Sequence, residues 1–312
     1  MKEFALALAG GLVSGGLFVA LATGSLGAMI FAYLSQVPLF LVGLSLGHSA
    51  LLVAGAAALL VVGITGGIVA AALLAAGAVV PIYILVRQAL LSRSGDEGVE
   101  WYPAELLVSW LIGMAAVGVT VSGLLLAGHP EGAESGVREM LSQALQLMAA
   151  DQALADATIE EFAAAFAAVF LGTTAVSWIM MMAVNGSLAQ GVLAGFGRNL
   201  RPTPEVSAIT IPRWTYLAFA AALLIAVAAG GTLGYIARNL AITFAAAFFF
   251  QGLAVVHALV GQWSARTVSL IAFYLVLIVF GWPVIIVMAL GLAEPLLRLR
   301  ARIGRPDRGK ES

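Results

Sequence analysis

The chain has 312 residues, of which 62% are apolar and only 10% charged, and its mean hydropathy is +1.05. A water-soluble domain of this length cannot hide so much apolar surface, so lipid is the expected solvent and partner. A net charge of −1 gives no basis for nucleic-acid binding, and the absence of cysteine removes disulfides, thiolate metal sites and a cysteine nucleophile together.

A helix needs about 20 apolar residues to cross about 30 Å of hydrocarbon. Segments of that kind fall near 4–22, 26–47, 49–64, 66–91, 104–127, 158–185, 214–232, 239–260 and 267–297. The expected fold is therefore all-α, a polytopic bundle of about 8–10 spans forming one integral membrane domain over 1–297. Lys2, the apolar run from Phe4 and Ala20-Leu21-Ala22 imitate a cleavable signal, but a polytopic protein keeps such a span as an anchor. The 49–91 region is too long for one crossing at 1.5 Å per residue, so Gly63-Ile64-Thr65-Gly66-Gly67 is expected to turn it. In the last segment Gly281-Trp282-Pro283 either kinks one helix or separates two.

Basic residues set orientation. With the N-terminus inside and the last segment crossing twice, only Arg138 and Arg238 of the 15 lysines and arginines lie outside. A single final crossing would put the basic tail, 298–312, outside. The expected location is a bacterial cytoplasmic membrane with both ends inside. The external loop, 128–157, repeats Val137, Leu141, Ala144 and Met148 at helical spacing, which predicts a short amphipathic helix. It either caps the bundle or serves as a lid. The cytoplasmic loop, 186–213, holds Pro202, Pro204 and Pro212 with Arg198, Arg201 and Arg213, which suit orientation or lipid head groups.

Small residues four apart let helices approach closely in lipid, where no hydrophobic drive brings them together. On the first span Ala7, Gly11 and Gly15 form one stripe, and Ala5 and Ala9 another. Such stripes serve internal packing or dock a partner.

An intramembrane polar side chain is costly without a partner and so marks a candidate site. Gln36 lies in the middle of the second span beside Pro38, and Asn185 closes the sixth. In the eighth, Asn239, Thr243, Phe250 and His257 fall nearly on one helical face, with Gln251 about 120° away. Ligand-binding candidates are therefore Gln36, Asn239, Gln251 and His257. The histidines show no paired-ligand spacing, so neither zinc nor another cofactor is expected. No acid sits in mid-membrane. Glu294 is within i+4 reach of Arg298. Asn185-Gly186-Ser187 spells a glycosylation acceptor but falls on the cytoplasmic side of this topology.

Four stretches together carry a resemblance: Leu34 to Gly47 with its Gln36-Val37-Pro38, Asn239-Leu240, Phe250 to His257 with Gln251-Gly252-Leu253-Ala254, and Gly291-Leu292-Ala293-Glu294 before Arg298. The chain resembles the YybS-like predicted membrane proteins, the domain of unknown function 2232 family, over almost its whole length. That family commonly has an aspartate where this chain has Glu294. It is distantly similar to substrate-binding subunits of energy-coupling-factor transporters. That likeness implies a helical bundle holding a small ligand, driven by ATPase and coupling subunits in trans. It places docking on the first span, on Ala5 and Ala9 or on Ala7, Gly11 and Gly15. The leading expectation is a non-enzymatic binding subunit for uptake of a vitamin or other small metabolite. A membrane scaffold or assembly factor is the alternative, and a lipid-processing enzyme using His257 or Glu294 ranks below both.

Overall fold

The computed structural model describes residues 1–95, 98–148 and 156–303. In chain order the elements are α1 (Lys2–Val19), α2 (Leu26–Leu34), α3 (Val37–Leu46), α4 (His48–Leu74) and α5 (Val80–Ala89). Two short strands, β1 (Ser92–Gly95) and β2 (Gly98–Trp101), precede α6 (Ala104–Leu126), α7 (Ala133–Met148), α8 (Asp156–Ala167) and α9 (Phe170–Gly195). Then come α10 (Arg213–Ala228), α11 (Gly231–Val260), α12 (Arg266–Phe280), α13 (Pro283–Leu297) and α14 (Leu299–Ile303). The chain folds as two interleaved compact units, Met1–Leu111 with Trp178–Pro204, and Ile112–Ser177 with the chain from Glu205 onward. Two of the three divisions fall inside α6 and α9, and the third lies between α9 and α10, at Pro204–Glu205.

In the first unit, α1 lies directly on α4. A Cβ on Gly11 would overlap the carbonyl of Ala54, and one on Gly15 would sit 2.9 Å from Val61 Cβ. Ala7, Gly11 and Gly15 are all buried, so this stripe serves packing within the unit. Ala5 and Ala9 stay exposed.

The expected turn in 49–91 is present. Gly67 breaks α4 with φ +82°, a conformation that side-chain-bearing residues rarely adopt. The chain then folds back, since a Cβ on Gly55 would meet Val79 Cγ1 at 2.6 Å. In a straight helix those residues would lie about 36 Å apart. Thus His48–Ala89, 42 residues of helix by length, is a hairpin of two crossings.

Six helices among the described residues are long and apolar enough to span a membrane, and seven if the bent α12–α13 pair is one span. The hairpin makes two crossings of one of these. At 16 residues α10 is shorter than the others. The chain bends by 119° between α12 and α13, each about 22 Å long at 1.5 Å per residue. The last segment is therefore two short helices separated at Gly281–Trp282, one of the two arrangements expected from the sequence.

Two boundaries correct the sequence expectation. The sixth span was placed at 158–185, but the chain turns at Ala168–Val169 and the long helix is α9, Phe170–Gly195. The loop expected at 186–213 consequently begins ten residues later. Gly186, Ser187, Gln190 and Gly191 lower hydropathy there without ending the helix, because small residues remain compatible with packed helices in lipid. The other correction is the β1–β2 hairpin, Ser92 pairing with Trp101 and Gly95 with Gly98. It is short and exposed, and leaves no hydrophobic period to read.

In the second unit α11 is the central helix, buried along most of its length. On one side it packs against α13. A Cβ on Gly252 would overlap the Val287 carbonyl, and one on Gly291 would overlap that of Phe248. The amphipathic helix expected at 137–148 is α7. Its Ala133 and Val137 are buried, whereas Ala144 is exposed. Arg238 on α11 pairs with Glu134 at 2.6 Å, and Ala133 N donates to Thr232 Oγ1 at 3.3 Å. Glu160 on α8 accepts from Ser142 at 2.8 Å and pairs with Arg138. These bonds hold α7 down as a cap, and the Ser142 hydroxyl followed by Arg138 holds the Glu160 carboxyl below its usual pKa. Met148 from the same loop reading lies outside the residues whose side chains are described.

Candidate functional site

The second span is one helical stretch, Gly27–Leu46, interrupted by a turn at Ser35–Gln36, both in the right-handed helical region. There α2 ends and α3 begins, with Pro38 in its first turn. Proline fits there because its missing N–H is one that a helix start leaves unpaired anyway. The polar groups around this break are deeply enclosed: Ser14 is 1% exposed, Ser35 3%, Gln36 3% and Asn185 0%. Ser14 Oγ on α1 donates to the Ser35 carbonyl at 2.7 Å. From α9, Asn185 Nδ2 donates to the Tyr33 carbonyl at 3.0 Å and to Met181 O at 2.7 Å. The next residue, Gly186, faces the Phe40 ring, with 3.5 Å left for a Cβ. Hence α9 runs beside the chain from Tyr33 to Phe40, on either side of Gln36.

Two acceptors at this break lack donors. Gln36 Oε1 and Asn185 Oδ1 are buried with no hydrogen-bond partner among the described residues. The orientation of the Asn185 amide is fixed by chemistry, because its nitrogen faces two carbonyl oxygens that only a donor can satisfy. A buried unpaired acceptor costs about 1–3 kcal/mol. Sequence reasoning picked out Gln36 but placed Asn185 at a helix end, since the span was set too early. Its position 16 residues into a 26-residue helix is what makes it an interior group. Burial also removes it as a glycosylation acceptor.

The remaining candidates lie on α11 and are bonded within the second unit. Asn239 Oδ1 accepts from Gly172 N at 2.7 Å, and its Nδ2 donates to Tyr235 O at 2.9 Å and Ala168 O at 3.2 Å. It clamps the turn between α8 and α9. Gln251 Oε1 accepts from Ile211 N at 2.9 Å, and its Nε2 donates to Tyr216 Oη at 2.7 Å and Gly291 O at 2.9 Å. It therefore joins the 205–212 segment, α10 and α13 to α11. His257 shares a 2.9 Å hydrogen bond with Tyr274 on α12. Of the expected face, Asn239 and Thr243 are buried and Phe250 and His257 half-buried, while Gln251 is equally buried against other partners.

Two further polar clusters lie near helix ends. Buried Arg201 donates from Nη1 to Ala89 O at 3.1 Å, and Gln190 Nε2 donates to the Arg201 carbonyl at 2.8 Å. Burial pulls the Arg201 guanidinium below its ordinary pKa, and the Glu105 charge opposes that shift. Glu294 is 7% exposed, and its carboxylate bonds not the Arg298 side chain but the residues beyond it. Arg298 takes a left-handed turn at φ 48°, which brings Leu299 N to Glu294 Oε2 at 2.9 Å and Arg300 Nε to Oε1 at 3.1 Å. Arg300 Nη1 also donates to Ser207 O and Ile209 O at 3.0 and 2.9 Å. This ties the start of the tail to the same segment that Gln251 holds. Among the described residues no group of three His, Asp or Glu side chains is placed to hold a metal ion.

Helices of this length and apolarity, with polar side chains turned inward, define a polytopic α-helical membrane protein. A sequence model of the family described as Predicted membrane protein (DUF2232) matches residues 16–294, and the chain belongs to that family. The match begins near the end of α1 and ends at Glu294. Neither a curated protein nor a solved structure gives a significant match.

Proposed function

We propose that the protein is a non-enzymatic, small-molecule-binding subunit of a membrane uptake system and that its ligand is held at the α2–α3 break. The observation that carries this reading is the pair of buried acceptors without donors, Gln36 Oε1 and Asn185 Oδ1. Folded proteins rarely leave such groups unpaired, and a bound ligand supplies the missing donors. This reading moves binding away from Asn239 and Gln251, whose amide hydrogens are already engaged. Ala5 and Ala9, exposed on α1, are the face left for ATPase and coupling subunits in trans. Both ends lie in the cytoplasm by the distribution of basic residues.

Native mass spectrometry of the protein purified in mild detergent from its own host tests the proposal. A reproducible small-molecule adduct, lost in Asn185→Leu and retained in Asn239→Ala, is the expected result. A protein carrying only lipid, together with stable non-ATPase partners, overturns it in favour of a scaffold.

A further inference from the structure

We infer that Arg201 grips an anionic phosphate group at one membrane boundary of the first unit, carried there by a phospholipid head group or by a free solute. This is a second site and does not depend on the reading of Gln36 and Asn185. Arg201 is the one buried arginine among the described residues. A guanidinium presents a planar fork of N–H groups on three nitrogens. Here Nη1 donates to the Ala89 carbonyl at 3.1 Å, and no carboxylate of the described residues pairs with the group. The charge of Glu105 acts on it only from beyond pairing distance. Nε and Nη2 have no bond among the described residues and are not among the enclosed unpaired atoms, so they reach the surface. These two nitrogens form the side edge of the fork, which takes two oxygens of one anion.

The fork stands where helix ends meet. Helix α5 stops at Ala89, α6 starts at Ala104 and α9 stops at Gly195. Leu200 N donates to Leu44 O at 3.1 Å, near the end of α3. Gln190 and Asn199 fix the backbone of Arg201 by donating to its carbonyl at 2.8 and 2.7 Å. Tyr102 N donates to Leu91 O at 2.9 Å, and Trp110 Nε1 donates to Tyr102 Oη at 3.1 Å. Such an aromatic pair at helix ends marks the level of lipid head groups. Leu91, Phe196 and Leu200 are exposed beside this position and offer acyl chains an apolar surface. Arg201 also caps the carbonyl end of α5, but that role occupies Nη1 alone. A largely buried charge without a full counter-charge is costly. On the side that the basic residues assign to the cytoplasm, anionic lipid supplies phosphate at this level.

Thermal unfolding of the full-length protein, delipidated in a neutral detergent, tests this inference. Phosphatidylglycerol and inorganic phosphate are titrated separately at constant ionic strength. Phosphatidylcholine, whose head group has no net charge, and chloride are the baselines. The expected result is a saturable rise of about 3 °C or more with phosphatidylglycerol or with phosphate. Arg201→Gln should abolish the rise. Arg93→Gln, on an exposed arginine already paired with Glu100, should leave it unchanged. Arg201→Lys keeps the charge but loses the fork, and should move the midpoint to about tenfold higher ligand concentration. If Arg201→Gln does not fold, the Arg201→Lys shift, set against an unshifted Arg93→Lys, decides alone.

A rise with phosphatidylglycerol and none with inorganic phosphate assigns the site to a lipid head group. A rise with inorganic phosphate, whatever the lipid does, assigns it to a phosphate-bearing solute. Identical curves under every condition, the result if water alone hydrates the fork, overturn the inference. So do equal rises with phosphatidylglycerol and phosphatidylcholine. A rise that survives Arg201→Gln with an unchanged midpoint also overturns it, as does one lost equally in Arg93→Gln, the mark of unspecific attraction to a basic surface. The uptake reading fails separately. Asn185→Leu should leave the phosphate response intact, and a response without any small-molecule adduct keeps this site and removes the uptake subunit.

Discussion

Each unit hides side-chain amides among its helices, and two pairs of them, one in each unit, are treated differently. In the second unit Asn239 and Gln251 each accept one backbone N–H and place both amide hydrogens on oxygen. In the first unit Asn185 uses its hydrogens but leaves its oxygen bare, and Gln36 likewise has a bare buried oxygen. Both pairs satisfy the simple criterion of a polar residue at membrane depth. Only the accounting of donors and acceptors separates a clamp from a site, because a satisfied amide rigidifies the fold whereas an unsatisfied one requires an outside partner.

The sharpest way to break the comparison is Gln251→Leu. It leaves the Ile211 N–H, the Tyr216 hydroxyl and the Gly291 carbonyl without their partner, and it should cost about 2–5 kcal/mol. Reversible unfolding in mixed micelles measures this, and a loss below about 1 kcal/mol would show that the amide is not a clamp. Asn239→Leu should follow at about 2–3 kcal/mol. Its signature is faster proteolysis at the α8–α9 turn, because the bonds lost are those to Ala168 and Gly172. Gln36→Leu should go the other way and stabilise by about 1 kcal/mol, since it removes an unpaired buried acceptor. A clear destabilisation there would place Gln36 with the clamps.

The smallest expected effect is one of pH on the α7 cap. Glu160 titrates below the ordinary carboxylate range because Ser142 and Arg138 hold its charged form. Its contribution is therefore present above the unfolded carboxylate pKa and is lost as pH falls through the lower folded value. The protection of the α7 amides, relative to their intrinsic exchange rate at each pH, should be flat from neutral pH down to the ordinary carboxylate range and fall only below it. Arg138→Gln should move that fall to higher pH.

Much of the architecture was legible because lipid imposes it. A run of apolar residues long enough to cross must be helical, since every backbone group has to be satisfied within the segment. The hairpin in 48–89 could be read from length and from Gly67, and the amphipathic α7 from its period. The α1 stripe could be seen but not assigned. Ala7, Gly11 and Gly15 look the same in sequence whether they face α4 or another protein. The boundary of α9 misled because hydropathy falls before the helix ends.

What the sequence determined by itself is the solvent, the helical class and the short inventory of interior polar groups. These depend on composition and on local backbone chemistry. Tertiary structure alone decided which inventory members are paired. Gln251 meets Ile211 and Gly291 from 40 residues away in either direction, and Asn185 meets Tyr33 across 152 residues. Hydrogen bonds of such separation leave no period, spacing or propensity in the chain, so the difference between a filled and an unfilled polar site exists only once the helices are packed.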